Sequence, residues 1–324
     1  MSSLHEKRPY CTEKYFQYRG RFAPSPSGFL HFGSLIAALA SFLDAKSFNN
    51  SNPTRGKWLL RIEDIDPPRE QIGASSAILT SLDAFGLHWD ETELYQSKQS
   101  EYYHYILTQL KRHNFSYYCH CSRANIKAIG GIYQGHCRQH SNQAKNCATR
   151  LTNNLGIDKF VDIFQGKVSC NKKMANEDFI IHRKDGLFAY QLAVVADDIA
   201  QNITHVVRGC DLLEPTSRQI TLFNTMQALN LCYRTPQYGH VPLAVTKPGY
   251  KLSKQNRAPS IDNNNPQPAL ILALQFLGQQ PPAELIHSRV TDIIEWACQH
   301  WQRSKVPKTH EINLQVIEPK VIKP

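Results

Sequence analysis

Residues 21–34 read RFAPSPSGFLHFGS, and this stretch decides the fold because it predicts a strand, a stiff turn and the start of a helix. Pro24 and Pro26 each fix the backbone angle φ, so the turn loses little conformational entropy when it folds. Gly28 and Gly33 let another molecule approach the backbone closely, because they carry no side chain. We therefore expect a ligand to lie against this turn.

The residues after the turn predict an amphipathic helix over 34–46, with Ser34 as its N-cap. Its apolar residues recur at helical spacing, namely at Leu35, Ile36, Leu39, Phe42 and Leu43. The free N–H groups at a helix N-terminus attract anions, so a triphosphate would suit the position above it. His31 could then donate a hydrogen bond to phosphate oxygens as charge develops. A surface histidine without a ligand is the alternative.

Residues 251–255 read KLSKQ and form the second candidate ATP segment. A Pro-Gly pair precedes them and predicts a mobile loop. Lys251 and Lys254 are three positions apart, so one helical turn would present both to a single ligand. A solvated basic surface is the alternative. Together, His31 and Lys254 indicate an enzyme that activates a carboxylate with ATP.

The rest of the chain predicts alternating strands and helices. Strands at 17–23 and 58–64 flank the first helix, which makes a βαβ unit with a ligand site at the carboxyl ends of parallel strands. A hairpin is predicted over 179–190, and residues 305–324 are basic and interrupted by proline, which favours disorder. Further helices are predicted at 75–85, 101–113, 191–200, 214–228, 269–277 and 290–301, and a further strand at 205–208.

The composition favours a cytoplasmic protein with a polyanionic partner. The chain has 324 residues, 41% of them hydrophobic, which is enough for a core in two or three domains. The net charge is +10, and a basic protein attracts polyanions. There is no signal-peptide core and no apolar run near the roughly 18 residues of a membrane span, so no membrane partner is expected. Nine cysteines without a secretory signal indicate reduced thiols in the cytoplasm.

One stretch concentrates this positive charge. Residues 105–150 contain seven Lys and Arg residues, no Asp or Glu, and tyrosines between them. Basic side chains neutralise phosphates, and aromatic rings stack on unpaired bases, so the stretch predicts RNA contact. A solvated basic surface is again the alternative.

The same stretch holds a candidate metal site. Cys119, Cys121 and Cys137 are close enough in sequence for their thiolates to bind one Zn²⁺, which leaves one tetrahedral position open. From spacing alone, that position could be filled by His136, His140, Tyr133 or Cys147. Three cysteines with a purely structural role are the alternative.

The two candidate ATP segments resemble the paired signatures of class I aminoacyl-tRNA synthetases, usually written HIGH and KMSKS. Here the signatures read HFGS at 31–34 and KLSKQ at 251–255. RIEDIDPPR at 61–69, FAYQLA at 188–193 and VRGCDLL at 207–213 match the glutamate-specific branch of that family. The resemblance covers roughly residues 17–280. Ser34 stands at the fourth signature position, where the glutamate branch commonly has a small residue.

The resemblance implies an α/β fold in which a Rossmann-type catalytic domain carries a zinc-bearing insert. The catalytic domain would span 15–105 and 179–245, and an RNA-stem-binding insert would span 106–178. A flexible tail would occupy 1–14, and the KMSKS-like loop with a short helical region would occupy 246–324.

The resemblance also implies the reaction. The chain ends about 70 residues after Lys254, too few for the anticodon-binding domain of an ordinary member of this branch. It therefore resembles the short members, which activate L-glutamate with ATP and Mg²⁺ and esterify it onto queuosine in the anticodon of tRNA(Asp). A monomer is expected. Glutamate charging of a tRNA 3′ end, and a catalytically inactive RNA-binding regulator, are the alternatives.

By the same resemblance, glutamate would contact residues 21–25, with Glu63 accepting from its ammonium and with Tyr190 and Arg208 at its side-chain end. Surface ion pairs of Arg61, Glu63 and Asp64 are the alternative. The implied site residues are, for glutamate, Arg21, Phe22, Ala23, Pro24, Ser25, Glu63, Tyr190 and Arg208; for ATP, His31, Gly33, Ser34, Lys251 and Lys254; for catalysis, His31 and Lys254; and for one structural zinc, Cys119, Cys121, Tyr133 and Cys137.

Overall fold

A computed structural model describes residues 17–47, 56–140, 144–247, 249–251 and 259–314, with the backbone alone at 250 and 251. The predicted tail at 1–14 and the predicted catalytic residue Lys254 lie outside the described residues. Within the described residues, no helix has both the length and the apolar composition needed to span a bilayer.

Helices and strands alternate through most of the described chain. The α-helices are α1 (Phe32–Lys46), α2 (Ala74–Ala84), α3 (Ser100–Arg112), α4 (Arg123–Ala128), α5 (Lys172–Ala175), α6 (Tyr190–Ala200), α7 (Thr216–Ala228), α8 (Gln267–Phe276) and α9 (Val290–His300). The strands are β1 (Arg19–Phe22), β2 (Lys57–Ile62), β3 (Leu94–Tyr95), β4 (Ser116–Cys119), β5 (Ala148–Leu151), β6 (Lys159–Asp162), β7 (Gly166–Ser169), β8 (Ile180–His182), β9 (His205–Gly209), β10 (Gln237–Val241), β11 (Leu243–Lys247), β12 (Tyr250–Lys251) and β13 (Glu311–Asn313).

Parallel strands form the centre of the fold. β1, β2 and β3 pair in that order, and on the other side β9 pairs with β10. β9 lies alongside β1, where the Thr204 N–H donates to the Arg19 carbonyl at 2.9 Å. Successive strands are thus added outward on both sides of the neighbouring strands β1 and β9. Open α/β sheets bind ligands at such a boundary. The predicted α/β fold with a parallel sheet is confirmed.

Helix α1 packs across this boundary and forms the middle of the core. It contacts β1, β2 and β9 on one side and α8 and α9 on the other, so its residues from Leu35 to Ala45 are nearly all buried. A helix buried on both sides needs apolar residues around most of its circumference, and this one has them. Trp58 on β2 is fully buried against Phe42 of α1, with ring centroids 5.2 Å apart.

The predicted hairpin over 179–190 is shorter than expected. Its turn closes through the Arg183 N–H, which donates to the Leu187 carbonyl at 2.8 Å. Beyond β8, however, Phe188 pairs only through an isolated bridge to His182, and Tyr190 begins helix α6 instead of ending a strand.

The segment between α3 and β8 has two parts. β4, β5 and β8 form a small antiparallel sheet. The β6–β7 hairpin instead joins the central sheet, because β6 pairs with β10 in parallel, with Asp162 opposite Tyr238. One part of the segment therefore extends the sheet that carries the candidate site.

The prediction of disorder over 305–324 is wrong for residues 305–314. β13 lies in this segment and pairs in parallel with β11, with Ile312 opposite Ala244. The composition is polar, but long-range hydrogen bonds to an existing strand satisfy the backbone there.

A buried carboxylate anchors the segment before β13. Asp44 on α1 is 1% exposed and accepts from the Trp301 indole at 3.1 Å, the Tyr18 hydroxyl at 2.5 Å and the Arg303 guanidinium at 2.7 Å. A buried charge is costly unless it is paired and hydrogen-bonded, and here all three partners point at it.

We expect Asp44→Ala to lower the free energy of unfolding by about 3 kcal/mol, because it leaves buried donors without their acceptor. Urea unfolding followed by circular dichroism measures the change. Asp83→Ala is the matched control, because Asp83 is exposed on α2. Equal effects of the two substitutions would contradict this role of Asp44.

Candidate active site

The candidate site lies at the carboxyl ends of β1, β2 and β9. Residues 21–25 end β1 and begin the following turn, Glu63 follows β2, and Arg208 lies near the end of β9. The Glu63 N–H donates to the Pro24 carbonyl at 3.0 Å, which joins the first two segments. Within the turn Gly28 has φ 137°, a conformation that strains any other residue.

His31 caps helix α1, and the prediction that Ser34 does so is wrong. The His31 Nδ1 atom accepts from the Ser34 backbone N–H at 3.3 Å. An acceptor at Nδ1 places the proton of a neutral imidazole on Nε2. In this tautomer the predicted donor to phosphate would be the Nε2–H of His31.

The segment that follows the KLSKQ loop lies directly against His31. Ser260 forms a backbone bridge with His31, and the Ile261 N–H donates to the Leu30 carbonyl at 3.0 Å. Lys254 is only six residues before Ser260 in the sequence. The described segment that follows the second signature therefore lies beside the first signature.

Glu63 has a strongly perturbed acidity. Burial raises its pKa to about 7, although the positive charges of Arg61 and Arg21 oppose the shift. A carboxyl that ionises near neutrality is typical of functional sites. In the ligand-free protein, Glu63 therefore gains its negative charge as the pH rises through about 7.

Arg61 and Arg21 share one buried carboxylate, that of Asp198 on α6. The Asp198 Oδ1 atom accepts from Arg61 Nη2 at 2.6 Å and from Arg21 Nε at 3.2 Å. Burial alone would raise the pKa of Asp198, but Arg21 and Arg61 lower it below its usual value. The alternative of a surface ion pair at Arg61 is wrong, since its side chain is fully buried.

Arg208 is almost completely committed to the protein. Its Nε–H donates to His240 Nε2 at 3.1 Å, and its Nη2 donates to Thr216 Oγ1 at 2.6 Å. Its Nη1 is buried and has no hydrogen-bond partner among the described residues. This atom is the donor that Arg208 can offer to a ligand.

Two tyrosines complete the site. Tyr190 is half-buried. Its burial, and to a smaller extent the charge of Glu63, raises its pKa to about 12, so its hydroxyl stays a neutral donor. Tyr238 is 2% exposed, and its hydroxyl has no partner among the described residues. Burial raises the pKa of Tyr238 well above its usual value, while Arg208 opposes the shift. Neighbouring buried donors without acceptors indicate space for an acceptor-rich ligand.

The sequence argument missed several of these residues, namely Asp198, Tyr238, His240 and Asp162. A signal for Asp198 was available, because two consecutive aspartates at 197–198 end an otherwise apolar helix and therefore need buried partners. Tyr238, His240 and Asp162 carry no such local signal.

The three predicted cysteine ligands come together. The sulfurs of Cys119, Cys121 and Cys137 all lie within 4.8 Å of one another, and those of Cys121 and Cys137 are 3.6 Å apart. A tetrahedral zinc with Zn–S bonds of about 2.3 Å separates its sulfurs by roughly 3.8 Å. The donor set therefore fits a thiophilic metal.

Tyr133 lies at the same cluster. It is 2% exposed, and its hydroxyl oxygen accepts from the Cys137 backbone N–H at 2.7 Å. The Arg150 guanidinium lies 3.8 Å from the centre of the Tyr133 ring, in a cation–π contact that helps to hold the ring at the cluster. Of the four candidates for the open position, Tyr133 packs within the cysteine cluster, whereas His136 and His140 are exposed.

Only some of the basic residues at 105–150 are exposed to solvent and free of ion pairs among the described residues. Arg150 is buried, and Arg138 pairs with Asp178, so both have structural partners. The other basic residues of the stretch, which are all exposed, are Lys111, Arg112, Arg123, Lys127 and Lys145.

We expect the protein to bind Co²⁺ as a probe metal, with the thiolate-to-metal absorption of a sulfur-rich site. Cys137→Ser should abolish that absorption, because it removes one of three converging sulfurs. Cys147→Ser is the matched control, because Cys147 lies outside the cluster of converging sulfurs. An unchanged spectrum in Cys137→Ser would show that the cluster is not the metal site.

Comparison with known proteins identifies relatives along nearly the whole chain. The family described as tRNA synthetases class I (E and Q), catalytic domain, matches residues 17–287. The glutamyl-Q tRNA(Asp) synthetase of Colwellia psychrerythraea is 67% identical over 97% of this chain and 100% of its own. The protein of the same name from Escherichia coli is 49% identical over 92% of this chain and 93% of its own.

Solved structures agree at the level of the fold. A glutamate tRNA ligase from Elizabethkingia meningosepticum, crystallised with its amino acid, superposes with a TM-score of 0.73 at 23% identity. The match covers 91% of this chain and 67% of that protein. The chain therefore belongs to the class I tRNA synthetases of the E and Q type and, within them, to the glutamyl-Q tRNA(Asp) synthetase family.

Proposed function

We propose that this protein is a ligase that activates L-glutamate with ATP and transfers it to queuosine in the anticodon of tRNA(Asp). The observation that carries the amino-acid part is that a titratable carboxylate, Glu63, and Arg208, whose Nη1 is uncommitted, both act electrostatically on Tyr190. The first suits an ammonium group and the second a side-chain carboxylate. Queuosine of tRNA(Asp) is proposed as the acceptor because both relatives are named glutamyl-Q tRNA(Asp) synthetase.

The activation step needs positioned groups and no protein nucleophile. An oxygen of the glutamate α-carboxylate attacks the α-phosphorus of ATP, and the bond from that phosphorus to the pyrophosphate oxygen breaks. We assign ATP to the N-terminus of α1, where Gly33 would offer its backbone N–H and Ser34 its hydroxyl, since the Ser34 N–H is already donated to His31 Nδ1. The His31 imidazole would contact the phosphates there. Mg²⁺ bound with ATP would offset part of the phosphate charge.

Lysines of the second signature would neutralise the departing pyrophosphate. We assign this role to Lys254, with Lys251 as a further phosphate contact. The bridge between Ser260 and His31 supports the assignment, because it holds the end of that segment beside the ATP site. The mobile loop that the sequence predicts at this signature would close over the nucleotide and open for product release.

Residues 21–25, together with Glu63 and Tyr190, would hold the amino acid. Arg21 and Ser25 would contact its α-carboxylate end, Glu63 would accept from the ammonium, and Tyr190 would bond the side chain. Phe22, Ala23 and Pro24 would form the wall of the pocket. A neutral glutamine side chain cannot make the charge-assisted bond to Arg208, so glutamate is preferred.

The segment at 106–178 would bind the RNA stem and present its loop to the same site. The exposed side chains of Lys111, Arg112, Arg123, Lys127 and Lys145 support phosphate contacts. Zn²⁺ would be held by Cys119, Cys121, Cys137 and Tyr133, where it would brace this segment without taking part in the reaction. We assign 15–105 and 179–245 to the catalytic domain and 246–324 to the loop and helical region, and expect a cytoplasmic monomer.

The acceptor test uses two forms of tRNA(Asp) that differ only in the anticodon nucleotide. The queuosine form should accept labelled glutamate and the guanosine form should not, since only queuosine carries a cis-diol in its base. Nuclease mapping of the labelled RNA locates the ester. Label on the 3′-terminal adenosine would favour ordinary charging instead, and the absence of glutamate-dependent pyrophosphate exchange would favour an inactive RNA-binding regulator.

The ionisation of Glu63 predicts a pH dependence. Its pKa of about 7 means that the carboxylate which accepts from the substrate ammonium is lost as the pH falls through that value. The KM for glutamate should therefore rise up to about tenfold per pH unit below 7, while the KM for ATP changes little. Pyrophosphate exchange measures both constants.

Glu63→Gln should have a high glutamate KM that no longer depends on pH in this range, because an amide does not titrate. Glu101→Gln, an exposed change on α3, is the control that should keep the parent profile. A parent-like pH profile in Glu63→Gln would assign the titration to another group.

A further inference from the structure

A buried chain of hydrogen bonds runs from strand β6 to Arg208. His240 Nδ1 and Asp162 Oδ2 are 2.6 Å apart, and His240 Nε2 is 3.1 Å from Arg208 Nε. Both side chains of the Asp162–His240 pair are completely buried. No part of the proposed reaction uses either residue as a substrate contact.

The proton positions in this chain follow from its donors and acceptors. The Arg208 Nε–H can only donate, so His240 Nε2 must be its acceptor. The imidazole proton therefore lies on Nδ1 and is donated to Asp162. Burial lowers the pKa of His240 to about 4, although Asp162 opposes the shift, so the ring stays neutral at physiological pH.

Thr216 does not change this assignment. Its hydroxyl lies 3.1 Å from His240 Nε2, but it donates to the Leu212 carbonyl at 2.7 Å and accepts from Arg208 Nη2 at 2.6 Å. A hydroxyl, an imidazole and a carboxylate in a row resemble the arrangement that activates a nucleophile. Here the hydroxyl is fully buried and its proton is directed away from the ring, so it is a support and not a nucleophile.

The result is that the guanidinium of Arg208 is held in one orientation. Nε is fixed by His240, and Nη2 is fixed by Thr216 with a weaker contact to the Leu212 carbonyl at 3.4 Å. Tyr238 covers its face, with the guanidinium carbon 5.3 Å from the ring centre. The two N–H groups of Nη1 are left for a ligand.

We propose that Asp162 and His240 are positioning residues that select the His240 tautomer and thereby lock Arg208 with Nη1 facing the side-chain carboxylate of the amino-acid substrate. The inference rests on the proposed function of the site. Asp162, a side chain of the β6–β7 hairpin, would thereby take part in amino-acid selection. A group held within narrow limits by hydrogen-bonded neighbours discriminates ligands better than a mobile one.

Asp162→Asn tests the tautomer directly. Asp162 Oδ1 accepts from the backbone N–H groups of Phe164 and Gln165, both at 2.9 Å, and of His240 at 3.1 Å. The asparagine oxygen should keep those three bonds, which turns the amide NH₂ toward His240 Nδ1. His240 must then accept at Nδ1 and carry its proton on Nε2, opposite the Arg208 N–H.

Two donors that face each other cannot form a hydrogen bond, so either the His240 ring or the Arg208 guanidinium must move away. We expect the KM for glutamate to rise at least about tenfold in Asp162→Asn and the preference for glutamate over glutamine to fall, while the KM for ATP stays near the parent value. The ¹⁵N shifts of the His240 ring should report the change of tautomer. Asp185→Asn, an exposed change of the same kind, should leave all of these unchanged.

A second variant separates positioning from simple support of the fold. In the Asp162→Asn background, His240→Gln supplies an amide oxygen that can accept from Arg208 Nε, so the double variant should recover part of the lost glutamate affinity. If the pair only stabilised the fold, the second substitution would add to the damage. Thermal unfolding and ATP binding of each variant show whether it is folded.

The outcomes distinguish this inference from the proposed function. If the parent protein does not catalyse glutamate-dependent pyrophosphate exchange, the proposed function fails. If the parent does so and folded Asp162→Asn keeps the parent glutamate KM and selectivity, the positioning role is overturned. A double variant worse than Asp162→Asn alone would also overturn it.

Discussion

The site depends on one buried carboxylate, that of Asp198, which is shared by two arginines. Arg61 on β2 and Arg21 on β1 would each be costly to bury alone, and Asp198 on α6 offsets both charges. The three side chains join two neighbouring strands to the helix that begins with Tyr190. This arrangement keeps Arg21 beside the pocket and fixes the positive field that acts on Glu63.

The order of the strands explains why the functional groups converge. β1 and β9 are adjacent although β1 winds toward β2 and β9 winds toward β10. Side chains that follow β1 and β2 therefore meet those at the end of β9, since parallel strands end at the same edge. The N-terminus of α1 opens at this edge, so a positive helix end and the arginines face one space.

A segment distant in sequence also contributes to the pocket. The β6–β7 hairpin follows strand β5 of the small antiparallel sheet in the sequence and pairs with β10 of the central sheet. Asp162 at the end of β6 reaches His240, and through it Arg208. A change in the position of this hairpin would therefore reach Arg208 through two buried hydrogen bonds.

The sequence by itself determined the local elements and the chemical types of the site. The proline-stiffened turn, the helix predicted at 34–46, the parallel βαβ unit and the trio of cysteines all follow from periodicity, turn chemistry and short spacing, which act within a few residues. Only the tertiary structure decided that His31 caps its helix, that residues 305–314 are folded, and that Asp198, Asp162 and His240 support the site. The folded segment and the three supporting residues depend on long-range contacts: Asp198 meets Arg21 across 177 residues and Asp162 meets His240 across 78, and no local pattern records which distant partner a buried charge will find.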